Sequence, residues 1–369
     1  MKRYALALGA VAGAMVACTS HGSRGAGASA GASASATASA SASASASAEA
    51  GADAGEDAGE EEEVEKTFDE ILRVLFAERS SEGPILAACP VSLPADARVR
   101  CLYDERYKGD PKAAGIAHGM FVKWRILAGV EVGHVMDGGY RGKIQIESAV
   151  PVGENRHHLE WVAAAISDID TFFGELEKYR VQRDGASSTR SVRYSAHAPK
   201  PRPYRFEPMT IRFMRSVGVR TPAAYALDWE VAYNFNGSLN VSADAVRETM
   251  FHEIFHLNDA AHGGWSPGAL GDVFDFIVKK CGTKTPCLTP YTPAETMVRG
   301  GTYYSFQPGN GVVEYAAELA SRYYREQRAV LRGLPKVKAF KCGPPENAKA
   351  WALIRDELFA GVDAVPACP

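Results

Sequence analysis

His252-Glu253-Ile254-Phe255-His256 places two imidazoles four residues apart in an apolar run. On a helix that spacing puts both rings on one face, where they can meet a single ion. Zinc suits two imidazoles with a carboxylate or a third imidazole, its fourth position being left to water. Glu253 lies about 100° round the helix from His252, near enough to reach that water without having to coordinate. It would accept the water's proton and later deliver it to a leaving amine. Met250, Phe251, Ile254, Phe255 and Leu257 supply the apolar surface that holds such a helix in a core.

The elements that must position this group lie on either side of it. Tyr225, Leu227, Trp229, Val231, Tyr233 and Phe235 alternate with Ala226, Asp228, Glu230, Ala232 and Asn234. That period of two predicts one strand with a single buried face. Asn236-Gly237 is a two-residue hairpin signal, so residues 238–241 are expected to return antiparallel. Ser242 then caps a helix running to about Ala261, where Gly263-Gly264 stops it. Further on, residues 311–320 read as the start of a helix continuing to about Leu331. Glu314 and Glu318 share one face of it, and the small residues Ala316, Ala317 and Ala320 permit close packing on the histidine helix.

A hairpin feeding an H-E-x-x-H helix resembles the zincin metallopeptidases, in which an edge strand of a small sheet precedes that helix. The resemblance covers about residues 220–330. It implies an α+β fold, with a zincin-like catalytic core whose small sheet packs on the histidine helix, followed by a helical C-terminal part. It also implies a Zn2+ cofactor held by His252, His256 and a third ligand. The segment carrying Glu314 and Glu318 is similar to the second helix of gluzincins of the thermolysin and lethal-factor type. There the first acid binds zinc, and an acid four residues later orients a ligating histidine through its free N–H. Those roles fall on Glu314 and Glu318; the plain alternative for Glu318 is an i,i+4 ion pair with Arg322. The competing third ligand is His262, because His252 to His262 has the metzincin spacing. That motif needs glycine where this chain has Asp259, and a methionine turn for which Met297 is the candidate. Met297 is followed by Val298-Arg299-Gly300-Gly301 rather than by a helix. Glu314 is therefore the expected ligand and His262 the alternative.

Tyr303 and Tyr304, just upstream of the Glu314 helix, are candidate donors to the oxyanion of a tetrahedral intermediate. Asp259 is expected to orient a ligand histidine or to face water. His157 and His158 start a separate helix and read as surface or capping residues. The reaction these roles imply is hydrolysis of a bond in a peptide or protein substrate, with Glu253 as general base. The alternative is a catalytically inactive zincin-like envelope lipoprotein acting as a binding or structural module, against which the intact His252, Glu253 and His256 argue. A non-protein component of the cell wall is a further substrate that zinc chemistry would allow.

The rest of the chain sets the location. Lys2 and Arg3 precede an apolar run over residues 4–16, too short for a comfortable span. Met15-Val16-Ala17-Cys18 resembles a bacterial lipoprotein signal, in which residues 1–17 are removed and Cys18 is lipidated; an ordinary secretory signal is the alternative. The protein is thus expected to be exported and held to the membrane of the cell envelope through Cys18. Residues 18–65, rich in Gly, Ala, Ser and then acids, read as a flexible tether with nothing large to bury. Nine of the 44 acids lie in residues 1–65, which leaves the remainder near neutrality and without a basic stripe, so no nucleic-acid partner is expected. Setting Cys18 aside, six cysteines remain, an even number that suits disulfides in an oxidising compartment. Short separations favour Cys89–Cys101, Cys281–Cys287 and Cys342–Cys368.

Residues 66–200 are expected to form an N-terminal α+β portion of unassigned role, and residues 201–369 the zincin-like domain. In the first, Thr67 to Glu70 is a capping box ahead of Ile71, Leu72 and Leu75 at helical spacing. Strands are expected within residues 121–135 and 142–150, a long helix at 156–180, and a loop at 184–208.

Overall fold

The computed structural model describes residues 67–138, 142–184, 208–298, 300–335 and 338–369. Cys18, the signal, the acidic tether and most of the expected 184–208 loop lie outside the described residues. Helix α1, Phe68–Leu75, follows Thr67 and buries Ile71, Leu72 and Leu75, as the capping box and spacing lead one to expect. Helices α2, Gly83–Ala88, and α3, Ala95–Arg106, are joined by the Cys89–Cys101 disulfide. Asp110 caps α4, Pro111–Trp124, by accepting from the Ala113 amide at 3.1 Å. The strand expected from residue 121 therefore begins later. Phe121 continues the helical face of Ala113, Ala117 and Met120, and α4 ends where Arg125 turns left-handed.

Strands β1, Leu127–Val130, β2, His134–Asp137, and β3, Lys143–Ser148, precede the long helix α5, Arg156–Asp184. Strand β4, Thr210–Ser216, is the centre of a mixed sheet. One of its edges pairs parallel with β1 and then antiparallel with β3. The other pairs parallel with β6, Glu230–Asn234, which pairs antiparallel with β5, Ala224–Leu227, at the sheet edge. Strands from both sides of residue 200 thus share one sheet, and Phe68–Pro369 belong to one compact unit. Gly129 permits the close approach of α1 to β1: a Cβ there would sit 2.4 Å from the Val74 carbonyl oxygen.

The segment expected as one long strand is two. Asp228 and Trp229 both have positive φ, 50° and 58°, as the centre of a type I′ turn requires, and the chain doubles back between β5 and β6. The hairpin expected at Asn236-Gly237 does not form. Asn240 Nδ2 instead donates to the carbonyls of Ala223 and Asn234 at 2.7 and 2.8 Å, holding residues 235–242 as turns. Glycine is needed at 237 for packing, since a Cβ would lie 2.8 Å from Ala223 Cα.

The C-terminal half is helical: α6, Ala243–Ala261; α7, Trp265–Cys281; α8, Thr285–Leu288; α9, Gly311–Leu331; and α10, Pro345–Leu358. Cys281–Cys287 and Cys342–Cys368 are joined, so all three short-range pairings occur. The fold is mixed α+β. No helix among the described residues is long and apolar enough to cross a membrane.

His158, expected at the surface, is buried in the first turn of α5. Its Nδ1 lies 3.0 Å from the Tyr233 hydroxyl, and its ring stacks on Phe235 at 4.8 Å. Burial, with the charges of His157 and Arg215, pushes its pKa down to about 4. Below the unfolded value of about 6.5 the unfolded chain takes up a proton that the folded chain excludes. The resulting stability is complete above that pH and is lost as the pH falls towards 4. Melting temperature should therefore drop between pH 6.5 and 4 in the wild type, and drop less in His158→Gln. Parallel curves for the two proteins would refute the assignment.

Candidate metal centre

Helix α6 forms because Ser242 satisfies its first turn, the hydroxyl accepting from Ala245 N at 3.2 Å, and Gly263 and Gly264, both of positive φ, release the chain at its end. Ala316, Ala317 and Ala320 are fully buried and let α9 approach it closely. The two helices are then fixed in register. Phe251 stacks on Tyr324 at 4.3 Å, and Asp168 of α5 gathers Arg328, Arg332 and Tyr324 from α9, with Arg247 of α6 at 3.8 Å. Burial would raise the Asp168 carboxyl, but hydrogen bonds from Arg328, Tyr324 and Arg332 outweigh it and hold the pKa at about 2.

This framework brings together His252, His256 and Glu314, all buried. His252 Nε2 lies 3.0 Å from His256 Nε2 and 3.1 Å from Glu314 Oε2, and the third edge of the triangle is 3.5 Å. A tetrahedral ion with bonds of about 2.0–2.1 Å spreads its ligand atoms about 3.3 Å apart, so the triangle matches one face of such a site. Glu314 Oε1 is buried and without a hydrogen-bond partner among the described residues, a second oxygen able to turn towards a cation. His256 Nδ1 is likewise unpartnered, so only the group at Nε2 decides its tautomer. The buried trio could hold a metal ion.

The electrostatics favour a cation. Burial pushes the His252 pKa down, but the hydrogen bond and charge of Glu314, with the charges of Glu253 and Glu318, raise it overall. Glu314 is lowered against the opposing effect of burial by His256 and His252. A proton and a metal ion thus compete for the same place.

Beside the trio is a cavity of about 120 Å³, lined among others by His252, Glu253, Tyr304 and Glu318. Glu253 is 1 % exposed there and takes no part in the metal triangle. The Tyr304 ring centroid lies 6.3 Å from that of His252. Glu318 lies half-buried on the same face of α9; burial and the charges of Glu314 and Glu248 push its pKa up to about 6 against the pull of His252. No hydrogen bond joins it to His252 among the described residues, so the expected orienting role is not seen; the alternative pair with Arg322 is not seen among the described residues either, because Arg322 turns to Glu326.

Three expected site residues are employed elsewhere. His262 caps the end of α6, and its Nδ1 lies 3.0 Å from Glu357 Oε1 on α10. Asp259 neither orients a histidine nor faces water: it accepts from Ser266 N at 2.8 Å and from Ser266 Oγ at 2.7 Å, fastening the first turn of α7. The Tyr303 hydroxyl lies 3.0 Å from Thr289 Oγ1. Met297 is 37 % exposed, which does not suit a methionine packed beneath a metal. Sequence reasoning missed the cavity residues Glu248, Thr249 and Ser321; the signal was there for Glu248, which precedes His252 by four on one helix face. Comparison with protein-family models, with curated proteins and with solved structures gives no match.

Proposed function

We propose that the protein is a zinc-dependent peptidase, exported and lipid-anchored through Cys18, with a zincin-like core of the gluzincin type. The observation that carries the reading is the convergence of His252, His256 and Glu314 beside a cavity that also contains Glu253. Two imidazoles and one carboxylate are a donor set that zinc accepts with a position left open. Zinc, when bound, supplies a Lewis acid that polarises a carbonyl and lowers the pKa of water. Glu253 takes the proton of the attacking water and passes it to the departing amine. Tyr304, at the cavity wall, donates to the oxygen that gains charge as the carbonyl becomes tetrahedral. The carboxylate of Glu318 adds to the negative field around His252.

Purified protein should contain close to one equivalent of zinc and cleave an internally quenched peptide library. Dialysis against a chelator should abolish cleavage, and zinc should restore it. Zinc-free protein that binds none on titration would end the proposal. In cells fed a labelled fatty acid, the label should enter the wild type and not Cys18→Ala.

A further inference from the structure

We propose that the cavity beside the metal group receives a positively charged side chain of the substrate, lysine or arginine, held by Glu318 and Glu248. The inference rests on the peptidase reading for its setting. The cavity runs along the N-terminal half of α6, past Glu248, Thr249 and His252, and is closed by Glu318 and Ser321 of α9. The charged groups facing it are Glu248, Glu253 and His252 from α6 and Glu318 from α9; Ala223, Leu239, Ala294 and Thr296 on the remaining walls add none. One cation acts on this group: Arg325 lies 3.7 Å from Glu248 in a half-exposed pair, and its charge also reaches Glu318. Arg322, which could have neutralised Glu318 from one turn away, is held by Glu326 and by the Lys338 carbonyl.

Ser321 Oγ is buried and unpartnered among the described residues, an acceptor available to an N–H donor. An apolar side chain would fill the volume while stripping water from Glu318 and returning nothing to it. A cationic side chain returns both charge and hydrogen bonds. Sites of that kind discriminate against analogues lacking the polar group more strongly than apolar pockets discriminate between sizes.

The test is binding, read by anisotropy of a dye-labelled hexapeptide on the full chain carrying Glu253→Gln. One position, scanned along the peptide, holds lysine, arginine, norleucine or glutamate, with the N-terminus either free or acetylated. At one position, lysine and arginine should bind about tenfold or more tighter than norleucine, and acetylation should not matter. Glu318→Gln should remove the preference, Glu318→Asp should keep part of it, and Glu248→Gln, at the more exposed rim, should reduce it less. Equal binding of norleucine, a preference that follows the free N-terminus instead, or no binding of any peptide overturns the proposal. If the preference stands while the wild type cleaves nothing, the peptidase reading fails and the cation-binding cavity survives. Cleavage without any preference for a basic residue does the reverse.

Discussion

Replacing Glu314 with alanine will empty the metal centre, while His262→Ala will leave it filled. The carboxylate of Glu314 is 2 % exposed and lies within 3.5 Å of both imidazole nitrogens. His262 points to Glu357 instead. Loss of a partner that only supports a ligand costs about 10–100-fold in metal affinity, so loss of a ligand should cost roughly a hundredfold or more. Competition with a chromophoric chelator measures this directly. Glu314→Gln, which keeps one oxygen and the shape of the side chain, should fall between alanine and the wild type. If His262→Ala lost the ion and Glu314→Ala kept it, the third ligand would be misassigned.

Glu253→Gln should give the second large effect, with the opposite signature. Glu253 is buried beside His252 but outside the triangle of ligand atoms. The variant should keep its metal and lose about 10²–10⁴-fold in kcat, the range that a positioned general base contributes. KM should change little, because amide and carboxylate fill the same space. Loss of the ion together with the activity would make Glu253 a ligand rather than a base.

The helices that carry His252, His256 and Glu314 were more legible in the sequence than the shape of the sheet. Helix α6 announced both ends, by Ser242 and by Gly263-Gly264, and α9 was readable from its small and acidic faces. The three disulfides followed from short separations alone. The β5–β6 hairpin was hidden for a geometrical reason. A two-residue turn pairs Ala226 with Val231 and Tyr225 with Ala232, so the buried set changes from even to odd positions across it. The apolar alternation runs through that change unbroken, and Leu227, 54 % exposed, shows its cost. Asp228-Trp229 carries no glycine to mark the turn, whereas Asn236-Gly237 carries one for close packing. Asp259 sat near the histidines and Tyr303 near the Glu314 helix in sequence, but their partners, Ser266 and Thr289, are set by how α7 and α8 fold back. Position along the chain could not reveal that.

The three groups that could hold an ion divide between two core helices, His252 and His256 on α6 and Glu314 on α9. A cation bound there ties together the same pair that Phe251 and Tyr324 hold by stacking. Any ion that binds only the folded chain adds to its stability by mass action, about 2.7 kcal/mol when free ion stands at a hundred times its dissociation constant. The supply of metal would then govern how long the folded protein survives. A chain starved of its ion would be the easier one for proteases to unfold and clear.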